Sequence, residues 1–375
     1  MADSFIKRIE LAIRRWYNSQ VGSHGEPVVV DGPQEAIPIA SIGRVLLLRQ
    51  DRIGDVIVST PIIKALRAHL PDARIDMVLS TNNIAVRQAV EQWVDSIHVF
   101  GKSIPSLLLL RRRLRRQRYD LVIDLMDNAS STSALLISGA QAPFAIGIDK
   151  VNRGVYSHVV PLADQSSVHI VERISRLTWP LGFAIGGEDL RLLFPLTDAQ
   201  RQSAAEIMPR AADEMILAVN ISGSDNHRMY PEAKMIEVLR RVREMCETGL
   251  ARRVELRIMS APAHAEMARR IGQACGISVV EPQKSYAQFA ACIAASDMLL
   301  TPDTSAVHVA AAHGVASVVL FSQDARGLMP WTPYKAPCWP CVTLSGALEA
   351  IEPTEIITAV EAMLQSTANG NTPVA

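Results

Sequence analysis

Apolar runs of strand length alternate with segments of helical periodicity along most of this 375-residue chain, and they do so in two series. This alternation constrains the fold more than any other feature. A strand, a helix and a second strand in succession build a parallel sheet covered on both faces. In the first series, 44–49 (RVLLLR), 75–79, 97–100 and 121–125 read as strands. Segments 56–70, 84–92 and 107–118 read as helices between them, with Pro61 either kinking its helix or marking its true start. In the second series the strands are 215–219, 254–259, 278–280, 298–301 and 317–321. The helices are 232–247, 263–274, 285–295, 305–313 and 354–365, the last with Thr354 as a cap. A less regular stretch at 183–213 separates the series, and the Gly-, Pro- and Ser-rich segment 21–41 reads as a linker. Two doubly wound α/β units are therefore expected. Ligands of such sheets bind at the carboxyl ends of the strands, and with two units the cleft between them is the default site.

Composition removes several function classes. Lys plus Arg and Asp plus Glu are both 38, so no overall positive excess is available to hold nucleic acid. Aromatics are 5%, which disfavours stacking platforms for single strands. Five cysteines make no disulfide framework and fit a reducing compartment. No apolar stretch approaches the roughly 18 residues of a membrane span. In residues 1–20 the apolar positions are interrupted by Lys7, Arg8, Arg14 and Arg15, so a signal-peptide core is not expected. That segment reads as a basic amphipathic helix carrying Phe5, Leu11 and Trp16, which either touches a membrane surface or packs as a plain extension.

Missing motifs narrow the chemistry. No strand is followed by G-x-G-x-x-G, so a dehydrogenase lacks its fingerprint, and no P-loop, H-E-x-x-H or G-x-S-x-G is present. No two Asp stand two apart to hold a divalent metal and a diphosphate. His308 and His313 are five apart, about 140° around a helix, and cannot share a face as ligands. Cys338-Trp-Pro-Cys341 has a metal- or redox-like spacing, but it lacks two further ligands and is read as part of a Pro-rich loop (Pro330, Pro333, Pro337, Pro340). No metal site is expected.

Three strand-to-helix loops and one charge run remain. Arg49-Gln-Asp-Arg-Ile-Gly54-Asp55 follows the first strand, and Asp55 is either a reactive carboxylate or a helix N-cap. Asn220–Pro231 follows the first strand of the second series. Its Ser222, Gly223 and Ser224 offer N–H groups and hydroxyls to phosphate oxygens, and Arg228 offers a bidentate charge; a capped loop with an exposed Arg is the plainer reading. Asp303, Thr304 and Ser305 lead into a helix that carries His308, either as an anion site or as a capped core helix. Six Arg in 111–118 either face anionic lipid or form a solvated face.

These loops, taken in order, resemble a known family. RVLLLRQDRIGDVIVSTPIIKALRAHLPDARID is similar to the N-terminal signature of glycosyltransferase family 9, the ADP-heptose:lipopolysaccharide heptosyltransferases. YDLVIDL, the R-x-Y-P of Arg228 to Pro231, PDTSAVHVAAAHGV and PWTPY resemble its later signatures, over about 42–335. Tyr230-Pro231 stands where the family usually has W-P, and Phe321-Ser-Gln-Asp324 where it has F-G-P-T.

The resemblance implies a GT-B fold, α/β with two Rossmann-like doubly wound domains facing a central cleft. It divides the chain into an extension and linker (1–41), an acceptor-side domain with the catalytic base (42–185), a donor-side domain (186–352) and a C-terminal helix and tail (353–375). It implies an inverting transfer without an obligatory metal, from a nucleotide-sugar donor, expected as ADP-heptose, to a lipopolysaccharide-type or other glycan or glycolipid acceptor. Asp55 matches the base, and Arg228 the residue that contacts the donor diphosphate. Ser222, Gly223 and Ser224 match the phosphate loop, and Asp303, Thr304, Ser305 and His308 the donor loop. His264 aligns with an acidic ribose-contacting position, with Glu266 nearby, and Lys284 stands near the adenine. The expected location is the cytoplasm, with the inner face of the membrane reached through 111–118 and the N-terminal segment. The competing class is a non-catalytic nucleotide-sugar-binding paralogue.

Overall fold

The computed structural model describes residues 24–101, 103–248, 252–323, 329 and 331–368. They form two compact units. One comprises residues up to 164 with Val168–Leu190, the other Gln165–Ser167 with the residues from Arg191 onward.

In the first unit, β1 (Val28–Val29), β2 (Arg44–Leu48), β3 (Arg74–Ser80), β4 (Ser96–Phe100), β5 (Leu121–Asp124), β6 (Phe144–Ile148) and β7 (His158–Val160) form one parallel sheet. Its order is β1-β7-β6-β5-β2-β3-β4. From β2 onward this is the Rossmann order 3-2-1-4-5-6, which reverses between β2 and β5. Val45 to Leu48 and Leu121 to Ile123 are fully buried, as strands covered on both faces must be.

The second unit repeats the order. β8 (Glu214–Asn220), β9 (Arg253–Met259), β10 (Ser278–Val279), β11 (Met298–Pro302), β12 (Ala316–Ser322) and β13 (Cys338–Thr343) lie parallel as β10-β9-β8-β11-β12-β13, with the reversal between β8 and β11. Both units are thus Rossmann-like α/β sheets, the architecture of the GT-B class.

Several elements depart from the sequence reading. The 56–70 helix is two helices, α1 (Ile53–Val58) and α2 (Thr60–His69), with Ser59 between them and Pro61 in the first turn of the second. Proline is tolerated there because that N–H has no helical partner to lose. Ile84–Ala89 is a 3-10 helix rather than an α-helix. Within 24–41 the chain is not a free linker: Val28–Val29 pairs with β7, and Val30 and Ile37 are fully buried. Turn-forming residues on either side hide a strand only two residues long. The helix read at 107–118 is α3 (Ile104–Gln117), one turn longer at its start, and the structure adds α4 (Ser131–Ala140), α5 (Ile170–Ser175) and α6 (Asp198–Ile207). The last is announced by a Thr197–Gln200 capping box.

The C-terminal helix belongs to the second core. In α11 (Pro353–Ala368), Ile356, Val360, Met363 and Leu364 lie on one face, in the core where the helix packs with α7 (Glu232–Thr248), β12 and β13; α7 in turn packs with α8 (Ala265–Cys275). Each such side chain, fully buried, stabilises by about 1.5–3 kcal/mol.

The Cys338–Cys341 pair is in edge strand β13, not in a loop. An edge strand accepts Pro340, which has no N–H to give a ladder. Residues three apart on a strand point to opposite faces. Cys338 accordingly packs beside Val307, Val319 and Phe321, and Cys341 enters the core under α11. All five cysteines are free. The N-terminal basic segment and most of 324–330, Pro330 of PWTPY included, lie outside the described residues.

Candidate functional site

In the first unit the loop after β2 is built on Arg49, which is 1% exposed. Its Nε donates to the Asp55 carbonyl (2.8 Å) and its Nη1 to the Leu125 carbonyl (2.6 Å). The same guanidinium lies 3.2 Å from Asp51 Oδ2 and 3.5 Å from Asp55 Oδ1. Asp55 is at the third position of α1, not at its N-cap, and its Oδ2 accepts the Arg52 N–H (3.1 Å). A buried cation and the first turn of a helix therefore fix its carboxylate at the carboxyl edge, where negative charge is favoured.

Across the strand-order switch, the end of β5 supplies two more carboxylates. Asp124 is fully buried and accepts from Tyr156 Oη (2.6 Å), Lys150 Nζ (3.1 Å) and Ser133 Oγ (3.2 Å). Gly147 makes room for this: a Cβ there would meet the Tyr156 ring at 2.5 Å. Asp127 pairs with buried Arg173 (3.1 Å). Burial pushes the Asp51 carboxyl up to about 7, opposed by Arg49 and aided by Asp55.

In the second unit the loops after β8 and β11 flank the corresponding switch. Asn220 Nδ2 donates to Thr301 Oγ1 (2.9 Å), pinning the two strand ends together. Ser222 is buried, and its Oγ accepts the Ala261 N–H (2.8 Å) and lies 3.0 Å from His264 Nδ1. Gly223 is required by a close approach within the loop itself, since a Cβ would stand 1.9 Å from the Arg228 carbonyl oxygen. Ser224 Oγ donates to Asp225 (3.1 Å), whose carboxylate caps the turn that ends in Arg228. Arg228 Nη1 then donates to Asp303 Oδ2 (3.0 Å). Thr304 is the N-cap of α10 (Ser305–His313), accepting the Ala306 N–H, and His308 is buried in that helix.

The structure thus brings Ser222, Gly223, Ser224 and Arg228 together with Asp303, and sets Thr304, Ser305 and His308 just behind. His264 joins them through Ser222. Glu266 is ion-paired with Arg269 on α8 instead and is largely exposed. Lys284 lies on the loop after β10, on the wall of a groove of about 660 Å³ beside α6 and α9 (Tyr286–Ala294). None of the Arg228 and Asp303 loop residues lines that groove.

Residues 107–342 match the model of glycosyltransferase family 9 (heptosyltransferase). The chain belongs to glycosyltransferase family 9. This family 9 glycosyltransferase is 22% identical over 298 residues to lipopolysaccharide heptosyltransferase 3 of Escherichia coli, covering 74% of this chain and 84% of that one. Its fold is similar to the crystal structure of a family 9 glycosyltransferase from Veillonella parvula, with a TM-score of 0.72, 19% identity, and coverage of 89% of this chain and 100% of that one. It is also similar to the E. coli heptosyltransferase WaaC solved with ADP, with a TM-score of 0.61, 17% identity, and coverage of 87% and 99%.

In this family 9 chain the sequence points to the Arg49–Asp55 loop but assigns a role only to Asp55, and it gives no sign of Asp124, Lys150 and Arg173 as its partners. A charged residue where an apolar strand run ends, as in LLLR and VIDL, is the available signal. Among the described residues, no three of His, Cys, Asp or Glu are grouped to hold a metal ion, and no helix is long and apolar enough to cross a membrane.

Proposed function

We propose that this glycosyltransferase moves heptose from ADP-heptose to a lipopolysaccharide-type or other glycan acceptor, inverting the anomeric centre. The observation that carries this reading is the fixing of Asp55, a carboxylate held at the carboxyl edge by buried Arg49. Asp55 accepts the proton of the acceptor hydroxyl as the hydroxyl oxygen attacks the anomeric carbon. The bond from that carbon to the diphosphate oxygen breaks, and the nucleoside diphosphate leaves. Arg228 and the amino end of α10 stabilise the charge that grows on the leaving phosphate. Asp303 presents its carboxylate to the donor once Arg228 has turned to the diphosphate. The ADP bound to the similar E. coli heptosyltransferase supports an adenine donor.

The reading places the chain in the cytoplasm, against the inner face of the membrane. Supporting this, α3 exposes Leu108 and Leu109 (51% and 71%) on the helix that also exposes Arg112, Arg113, Arg115 and Arg116. Apolar tips among cations suit an anionic lipid surface.

Thermal shifts with ADP, UDP, GDP and dTDP test the donor base. ADP is expected to stabilise the protein and the others not, and a larger shift with another nucleotide overturns the adenine assignment. Release of ADP from ADP-heptose in the presence of heptose-deficient lipopolysaccharide tests the transfer.

A further inference from the structure

Four carboxylates act on buried Arg49 at the carboxyl edge of the first sheet, and only two of them have a further cation as ion-pair partner among the described residues. Asp124 is paired with Lys150 and Asp127 with Arg173, each at 3.1 Å. Among the described residues, Arg49 is the ion-pair partner of both remaining carboxylates, Asp51 at 3.2 Å and Asp55 at 3.5 Å. Four carboxylates thus meet three cations. The unmatched charge falls on Asp51, whose Oδ1 is buried without a hydrogen-bond partner. Asp124 and Asp127, from the end of β5, also act on Arg49.

We propose that Asp51 is a positioning residue for the transfer, whose ionisation decides how Arg49 is divided between Asp51 and Asp55 and so how strong a base Asp55 is. The inference rests on the reading of Asp55 as base. With Asp51 protonated, the Arg49 charge acts on Asp55 alone and weakens it as a proton acceptor. With Asp51 ionised, Arg49 is shared, and a second negative charge makes Asp55 more basic. Burial pushes Asp51 up to about 7, so the division changes within the neutral range.

The test uses the full chain as wild type, Asp51→Asn and Asp51→Glu, with kcat and KM followed from about pH 5.5 to 9. The wild-type kcat should rise along a limb centred near 7. Asp51→Asn, which mimics the protonated state, should lose that limb, match wild type near the acid end and fall about tenfold below it at the alkaline end. Its KM for the donor and its ADP affinity should stay unchanged, and Asp51→Glu should restore the limb. A limb that survives in Asp51→Asn, or a loss equal at both ends, overturns the inference.

Carboxyl ¹³C NMR of aspartate-labelled protein reads the same coupling without turnover. The Asp55 resonance, assigned by its loss in Asp55→Asn, should shift along a limb centred near 7 in wild type, reporting the ionisation of Asp51, and should lose that limb in Asp51→Asn. An Asp55 resonance that moves alike in both proteins overturns the inference. Failure of the functional reading shows differently, as a wild type that transfers no sugar while this NMR coupling persists.

Discussion

Arg228 Nη1 lies 3.0 Å from Asp303 Oδ2 and 3.3 Å from the Asp303 carbonyl oxygen, tying the loop after β8 to the loop after β11. The two residues are 75 apart in the chain and meet because β8 and β11 are neighbours at the strand-order switch. Arg228→Ala should weaken ADP binding by about 1.5–3 kcal/mol, the contribution of a charged hydrogen bond. That is roughly ten- to 150-fold in Kd by calorimetry. An unchanged affinity would remove Arg228 from the diphosphate site.

Asp55→Asn should lower kcat by about 10²–10⁴ while ADP binds as before, because general base catalysis contributes that order and the carboxylate belongs to the other unit. Turnover within twofold of wild type, on the order of measurement error, would reject Asp55 as the base.

Cys338 and Cys341 should not form an internal disulfide under mild oxidation, since their side chains enter different cores. Burial pushes both thiols up to about 12, so both should react slowly with a thiol reagent until the protein unfolds. Mass spectrometry after alkylation of native and unfolded protein checks both statements.

Asp76 supplies an acid limb to stability. Burial alone would raise its carboxyl, but hydrogen bonds from His98, Tyr119 and Arg74 more than offset this and hold it below the ordinary carboxylate value. A lowered folded pKa contributes stability that is present above the unfolded value, about 3.9, and lost as pH falls through the folded one. Urea unfolding should show Tyr119→Phe, which removes the 2.7 Å bond to Asp76, less stable at neutral pH, with part of the difference disappearing in acid.

The α3 face should bind vesicles containing phosphatidylglycerol more than neutral ones. Sedimentation should show this binding falling on Arg112→Glu with Arg113→Glu, and with rising salt. Equal binding to neutral vesicles would argue against an electrostatic contact.

How much of this was legible varies by residue. Asp55, Arg228 and Asp303 were each visible, since each stands in a loop where an apolar run passes into a helical period. Local spacing records such junctions faithfully. The capping box at Thr197 and Gln200 is equally local, but the irregular stretch around it masks the helix that it starts. Glu266 is only two residues from His264 in sequence, but a helix turns about 100° per residue, and Glu266 pairs with Arg269 while His264 reaches Ser222.

By itself the sequence determined the two series of strands and helices, the family and the loops that carry charge. Those depend on periodicities and junctions spanning a few residues. Only the tertiary structure decided which loops meet, because strand order is a non-local property. It set β5 beside β2 and β11 beside β8, gave one buried Arg49 two carboxylates to hold, and turned a Cys-x-x-Cys spacing into two thiols on opposite faces of one strand.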